Sequence, residues 1–189
     1  MGEFQLETPR LVLRDWREDD WSSFFRLTNT LAVMRWLGGV ADERGMQAAR
    51  ERIEGYHREH NHTFWLVERK QDGGHLSGEL LGFCGLKRAN QKGGPIGDFE
   101  IGWRLREDAW GRGYALESAK AAMASGFEDF EAPHMIGLTV QENTASWRLM
   151  VRLGMERRTD LDFECGDFDP VSGTIIAYSI TRQQWQAAR

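Results

Sequence analysis

The sequence predicts a mixed α/β fold, one central sheet with helices packed on it, in a single domain over residues 1–189. Three observations predict it. Apolar residues recur with period two and with period three to four by turns, in the order β-α-α-β-β-β-α-β-α-β-β. No internal repeat and no Pro/Ser-rich linker interrupts that order, so both kinds of element must share one core. The 189 residues, 41% hydrophobic and 28% charged, suffice for one sizeable core and would leave two domains cramped.

Taken in order, Thr8 to Trp16 reads as a strand, with Leu11 and Leu13 alternating against Val12 and Arg14, and Pro9-Arg10 marks its start. Asp19 or Asp20 then caps a helix carrying Trp21, Phe24, Phe25 and Thr28 at helical spacing. A second helix runs from Asp42 to about His60. Phe64 to Arg69 and Glu79 to Arg88 form a hairpin around Asp72, Gly73 and Gly74. After the loop from Asn90 to Gly97, the strand Phe99 to Arg106 alternates. Phe99, Ile101, Trp103 and Leu105 share one face, and Glu100, Gly102, Arg104 and Arg106 the other, which makes Glu100 outward-facing.

From Tyr114 to Phe130, Leu116, Ala119, Met123 and Phe127 define an amphipathic helix. A buried strand from Met135 to Val140 follows, then a helix from Ala145 to Leu153 that Gly154 stops in a left-handed cap. Strands near Arg157 to Glu164 and Thr174 to Thr181 complete the order.

Composition excludes several classes. A net charge of −5 argues against a nucleic-acid binder, which needs a basic face to displace counterions, and suits cationic acceptors better. Cys84 and Cys165 form no CxxC or His/Cys cluster, so neither a disulfide framework nor a metal site is expected. No run approaches membrane-spanning length and no apolar signal core opens the chain, so no membrane association and a cytoplasmic location are expected.

The stretch richest in chemistry is Ala109-Trp110-Gly111-Arg112-Gly113-Tyr114-Ala115, between an alternating strand and an amphipathic helix. Glycines let backbone N–H groups converge, and a helix start adds partial positive charge, so the turn can hold a pyrophosphate without a lysine. A ligand-free strand-to-helix turn accounts for the glycine spacing equally well. Leu116 stands where a dinucleotide fingerprint needs its third glycine, and no Gly-Lys-Ser/Thr follows.

Phe99-Glu100-Ile101-Gly102-Trp103-Arg104-Leu105, then Trp110 to Ala115 and Glu117, resembles the GNAT superfamily of N-acetyltransferases, in its RimJ/RimL-type branch. The resemblance extends to Thr8-Pro9-Arg10-Leu11-Val12-Leu13-Arg14, to Asn143-Thr144-Ala145-Ser146 with Leu153-Gly154-Met155, and to Tyr178-Ser179-Ile180-Thr181-Arg182 with Trp185. It implies the GNAT-type acyl-CoA N-acyltransferase fold, a mixed sheet with helices on both faces, and acetyl-CoA as co-substrate without a metal.

By that resemblance, Trp110, Gly111, Arg112, Gly113, Tyr114 and Ala115 hold the CoA pyrophosphate through backbone N–H groups. Trp103, Arg104 and Leu105 hold the pantetheine arm through their backbone, and Asn143 and Ser146 meet the arm or its thiol end. For Asn143 a simple capping role is the alternative. Glu100 is implied as general base, through water, in direct transfer to an amine; a salt bridge to Arg104 or Arg106 is its alternative role.

Many members of the superfamily place a Tyr as thiolate acid where this chain has Met150. That leaves the acid to Ser146 or to solvent, since a thiol of pKa about 8.5 is a tolerable leaving group. The acceptor implied is the α-amine of a protein or peptide; polyamines, amino acids and aminoglycoside-like antibiotics stay open, because fold does not fix substrate. The rival classes are a non-catalytic acyl-CoA-binding regulatory module and a nucleotide-phosphate binder. A homodimer is the assembly common among similar proteins.

His57, His60 and His62 read as solvated residues at a charged helix end rather than metal ligands. Cys84 reads as a buried structural thiol. The acidic run Asp160, Asp162, Glu164, Asp167 and Asp169 reads as a solvated hairpin. The acceptor pocket is expected between the early helices, around Arg35-Trp36-Leu37, and the loop from Phe163 to Pro170.

Overall fold

The chain folds around a nine-stranded sheet, seen in a computed structural model that describes residues 4–164 and 173–188. Cys165, Asp167 and Asp169 lie outside the described residues. β1 (Gln5–Glu7), which was not expected, pairs antiparallel with β2 (Leu11–Arg14), which is the strand expected from Thr8 to Trp16, shorter at both ends. Pro9 fixes φ and has no N–H to donate, and the Thr8 N–H closes the turn onto the Leu11 carbonyl at 2.9 Å.

Three helices follow rather than two: α1 (Asp20–Thr28), the short α2 (Leu31–Met34) and α3 (Glu43–His60). Asp19 occupies the cap position of α1 without a capping bond, while Asp20 pairs with Arg14 at 2.8 Å. The α3 start is as expected, with the Asp42 carboxylate accepting from the Gly45 N–H at 2.8 Å. α2 went unread because four residues are too few to show a period; the Thr30 hydroxyl caps it.

The remaining elements are β3 (Phe64–Arg69), β4 (Leu80–Arg88), β5 (Phe99–Leu105), α4 (Tyr114–Glu128), β6 (His134–Val140), α5 (Thr144–Arg152), β7 (Glu156–Arg157), β8 (Phe163–Glu164), β9 (Thr174–Thr181) and α6 (Arg182–Ala187). Gly154 takes the left-handed conformation expected, at φ 83°. The strand expected over Arg157 to Glu164 is broken into β7, a 3-10 turn and β8. Local ion pairs favour the turn there: Arg157 reaches Asp162, and Arg158 reaches Asp160. α6 carries a readable capping box, Thr181 with Gln184, that the sequence reading missed.

The sheet order is β1-β2-β3-β4-β5-β6-β9-β7, with β8 also on β9. Every pair is antiparallel except β5 with β6. Side chains alternate across a strand, with a bulge at Leu81 shifting the phase, so β4 serves two cores. Leu81, Cys84 and Leu86 join Ala119, Met123 and Phe127 of α4 on one face, and Leu80 and Phe83 join Trp21, Phe24 and Ile53 of α1 and α3 on the other. Helices therefore cover both faces. Among the described residues, no helix is long and apolar enough to cross a membrane.

Burial decides the roles of two titratable groups. Cys84 is fully buried and its thiol is pushed up to about 12, as a structural thiol should be. His62 departs from the solvated reading: it is 1% exposed, flanked by Phe99 and Phe130, with Nδ1 3.1 Å from the Leu86 carbonyl. The chain turns inward at Asn61, in the left-handed conformation that ends α3, and carries His62 under the sheet. Among the described residues no cluster of His, Cys, Asp or Glu could hold a metal ion.

Burial holds His62 down at about 4, against 6.5 for a solvated histidine. As pH falls through 6.5 the unfolded chain takes up a proton that the folded chain refuses, so stability is lost between pH 6.5 and about 4. The loss expected is on the order of 2 kcal/mol. Urea midpoints at pH 7 and pH 4.5 should show it, and His62→Phe should flatten that slope; an unchanged slope in the variant would refute the assignment.

Candidate active site

β5 and β6 run parallel and share a single register pair, Glu100 with Ile136. Beyond it the strands part while β5 stays zipped to β4 as far as Gly82 and Leu105. The Arg106 N–H bonds to the Leu81 carbonyl, and strand alternation then turns the Arg104 peptide toward β4 and those of Trp103 and Leu105 toward the gap. A Cβ on Gly82 would meet the Arg104 carbonyl oxygen, which fits this phase. In the gap, the Leu105 carbonyl accepts from the Trp110 indole N–H at 2.9 Å.

Glu100 lies on the face opposite Phe99 and Ile101, as expected, but that face is not solvent. It is 7% exposed, and its carboxylate meets Lys87 Nζ at 3.0 Å and Gln91 Nε2 at 3.2 Å. The expected partners Arg104 and Arg106 cannot serve. A residue four along the same strand is about 13 Å away, whereas the cross-strand neighbour is about 5 Å away, and the residue opposite Glu100 on β4 is Lys87. Lys87 is in turn held by Asn90 Oδ1 at 2.9 Å. Burial pushes the Glu100 carboxyl up, and Lys87 and Gln91 pull it back part of the way. Lys87 and Gln91 were missed by the sequence reading; the hairpin register would have identified Lys87.

At the end of β5 a 3-10 turn (Glu107–Ala109) leads to Gly111 and Gly113, at φ 70° and 80°. Gly113 caps α4, and the first bond of that helix runs from the Glu117 N–H to the Gly113 carbonyl at 3.0 Å. The amides of the first helical turn are thus outside the ladder. Gly111, Arg112 and Gly113 are exposed. The Tyr114 ring instead points inward, its hydroxyl between Arg69 and the His75 carbonyl. Glu117 fastens the turn from behind, accepting from the Thr8 hydroxyl at 2.6 Å, the Arg10 N–H at 2.9 Å and Arg10 Nε at 2.7 Å.

Residues 10–156 match the family described as acetyltransferase (GNAT) domain. The chain belongs to the GNAT acetyltransferases. The uncharacterized N-acetyltransferase YnaD of Bacillus subtilis (strain 168) is 28% identical over 153 residues, 80% of this chain and 82% of its own. FsC-acetyl coenzyme A-N(2)-transacetylase of Aspergillus fumigatus is 30% identical over 118 residues, 59% of this chain and 50% of that protein. The crystal structure of a GNAT-family acetyltransferase from Bacillus anthracis has the same fold, with a TM-score of 0.76 at 22% identity, covering 95% of this chain and 99% of that one.

In this GNAT chain α5 begins just past the end of β6 and packs against β6 and α4. Asn143 is its cap residue, with Oδ1 3.4 Å from the Ser146 N–H, a long bond for a cap. Both side chains are half-buried. Met150 is 1% exposed, packed in the core against β6 at Gly137. It has no proton to give, so Met150→Leu is expected to change turnover by less than about threefold, a volume-conserving swap. A larger loss in a thiol-release assay would contradict that. Trp36, between α2 and α3, packs on Val140, Phe163 and Ile175, so the early helices meet the far half of the sheet beside the gap.

Proposed function

We propose that this GNAT chain transfers the acetyl group of acetyl-CoA directly to a primary amine, with Glu100 as general base and the α-amine of a protein or peptide as acceptor. The carrying observation is the position of Glu100: a buried carboxylate at the last register pair before β5 and β6 part, raised by burial yet kept ionisable by Lys87.

The donor fits the residues present. Amides of residues 111 to 115, ahead of the α4 ladder, suit a pyrophosphate, and the outward peptides of Trp103 and Leu105 suit an extended amide-bearing arm. A relative's name, FsC-acetyl coenzyme A-N(2)-transacetylase, supports the same donor. Acetyl-CoA, when bound, supplies an acetyl thioester whose C–S bond breaks as the new C–N bond forms. Glu100 takes the proton of the attacking amine through a water, so that the lone pair is free. Lys87 and Gln91 hold the carboxylate in place. The departing sulfur takes its proton from Ser146 or from solvent, because Met150 offers none.

The RimJ/RimL-type motifs support a peptide α-amine over small amines. The test is acetyl-CoA turnover, read as free thiol, against N-terminal peptides, polyamines and amino sugars. Release with peptides first is the expected result. Tight CoA binding without release from any amine would replace this reading with the regulatory module.

A further inference from the structure

The buried arginines each meet a carboxylate: Arg14 has Asp20 and Glu68, Arg69 has Asp72, and Arg106 has Glu79 and Asp108. Arg104, two residues earlier on β5, differs. Half-buried, its guanidinium donates from Nε and Nη2 to the Thr28 hydroxyl, at 3.2 and 2.9 Å, and lies 4.5 Å over the Phe24 ring. Burial, and after it the neighbouring cation Arg52 of α3, bring it down to about 10. Arg104 therefore stays charged at neutral pH, and among the described residues no carboxylate lies within ion-pair distance of it. A desolvated cation without a counter-ion is costly unless a ligand supplies one.

Its location says which ligand. Arg104 shares the β5 face with Glu100, about 13 Å along the strand. Between them the Phe64 ring fills the space that Gly102 leaves, so an apolar side chain separates the base from the cation. At the Arg104 end an open cavity of about 480 Å³ is lined by Arg26, Leu27, Arg106, Glu107 and Asp108. Of the two arginines lining it, Arg106 is paired with Glu79 and Asp108 and Arg26 is exposed, so Arg104, just behind it, is the half-buried cation without a carboxylate among the described residues. The acidic net charge of the chain favours cationic acceptors only at long range, whereas Arg104 presents a single positive charge at this point.

We propose that Arg104 binds a carboxylate of the acceptor, so that the substrate class is a peptide-sized amine carrying a carboxylate several bonds from the nitrogen acetylated. This rests on the acetyltransfer reading above. An acidic side chain and a free C-terminus offer the same chemistry, and the guanidinium fork suits either.

The experiment compares matched short peptides with a free α-amine, one pair differing as Glu against Gln within the chain, the other as C-terminal carboxylate against carboxamide. With the wild-type protein, kcat/KM for the acid of one pair should exceed that for its amide at least about tenfold, mostly through KM. The pair that shows the preference identifies the source. Arg104→Met should reduce the ratio to near one, the loss falling on KM for the acid, and Arg104→Lys should keep part of the ratio, having the charge without the fork.

Because Met removes a charge from an apolar seat, the Tm of Arg104→Met should be unchanged or higher. Equal rates on acid and amide by an active wild-type protein would overturn the assignment. So would a Met variant that unfolds at markedly lower temperature or loses both substrates equally, since Arg104 would then be a structural cation. Turnover of no amine at all would sink the acetyltransfer reading, and this inference with it.

Discussion

Glu100→Gln is expected to lower kcat by roughly 10²–10⁴-fold, the range a positioned general base contributes, while leaving CoA affinity within about twofold. The substitution keeps the shape and an oxygen that can still accept from Lys87 at its present 3.0 Å. It removes only the capacity to take a proton. The buried carboxyl titrates above its ordinary value of 4.5, so wild-type kcat/KM should rise with pH through an inflection above that value, and Glu100→Gln should lack it.

The stability sign is opposite to that of a surface ion pair. A carboxyl whose folded pKa is raised contributes most below pH 4.5 and loses that contribution as pH rises through its folded value. The variant should therefore not lose stability at neutral pH beyond the weakening of its contact with Lys87. Thiol-release kinetics from pH 5 to 9 on both proteins, with calorimetric CoA titration, decide the matter. A variant with wild-type kcat would remove Glu100 from the chemistry and reassign its pairing with Lys87 to structure.

How far the site was legible depends on range. The period of two in Phe99 to Leu105 and the glycines at 111 and 113 are local signals, and β5, α4 and the turn between them fall within two residues of where the sequence puts them. The partners of Glu100 were not legible. Arg104 and Arg106 are near in sequence but lie along the strand, whereas Lys87 is thirteen residues away and directly opposite; only the hairpin register converts one distance into the other. His62 was misread for a similar reason. Its neighbours His57 and His60 belong to a polar helix end, and only the turn at Asn61 buries it. Arg104 was read for its backbone, and the absence of a carboxylate beside its side chain, among the described residues, reflects the packing of Thr28 and Phe24 of α1 on it, which no local pattern carries.

Gly113→Val is expected to weaken CoA binding by about two orders of magnitude while costing the fold far less. At φ 80° a side chain is strained, and a β-branched one more than alanine, by about 1–2 kcal/mol. Space is not the obstacle, since the nearest atom to an added Cβ is the flexible end of Arg10, at 3.4 Å. The turn relieves the strain by rotating toward negative φ, which swings the amides of residues 112 to 115 apart. Each amide bond to a charged oxygen is worth about 1.5–3 kcal/mol, so losing one or two accounts for the affinity, and Glu117 still anchors α4 through Arg10 and Thr8. Gly111→Ala, with nothing within 4 Å of its Cβ, should show a milder version. Calorimetric titration with CoA and with a pantetheine derivative lacking the pyrophosphate separates the causes. The variant should lose affinity for the first and not the second, and equal losses on both would mean that the turn shapes the cleft rather than binding phosphate.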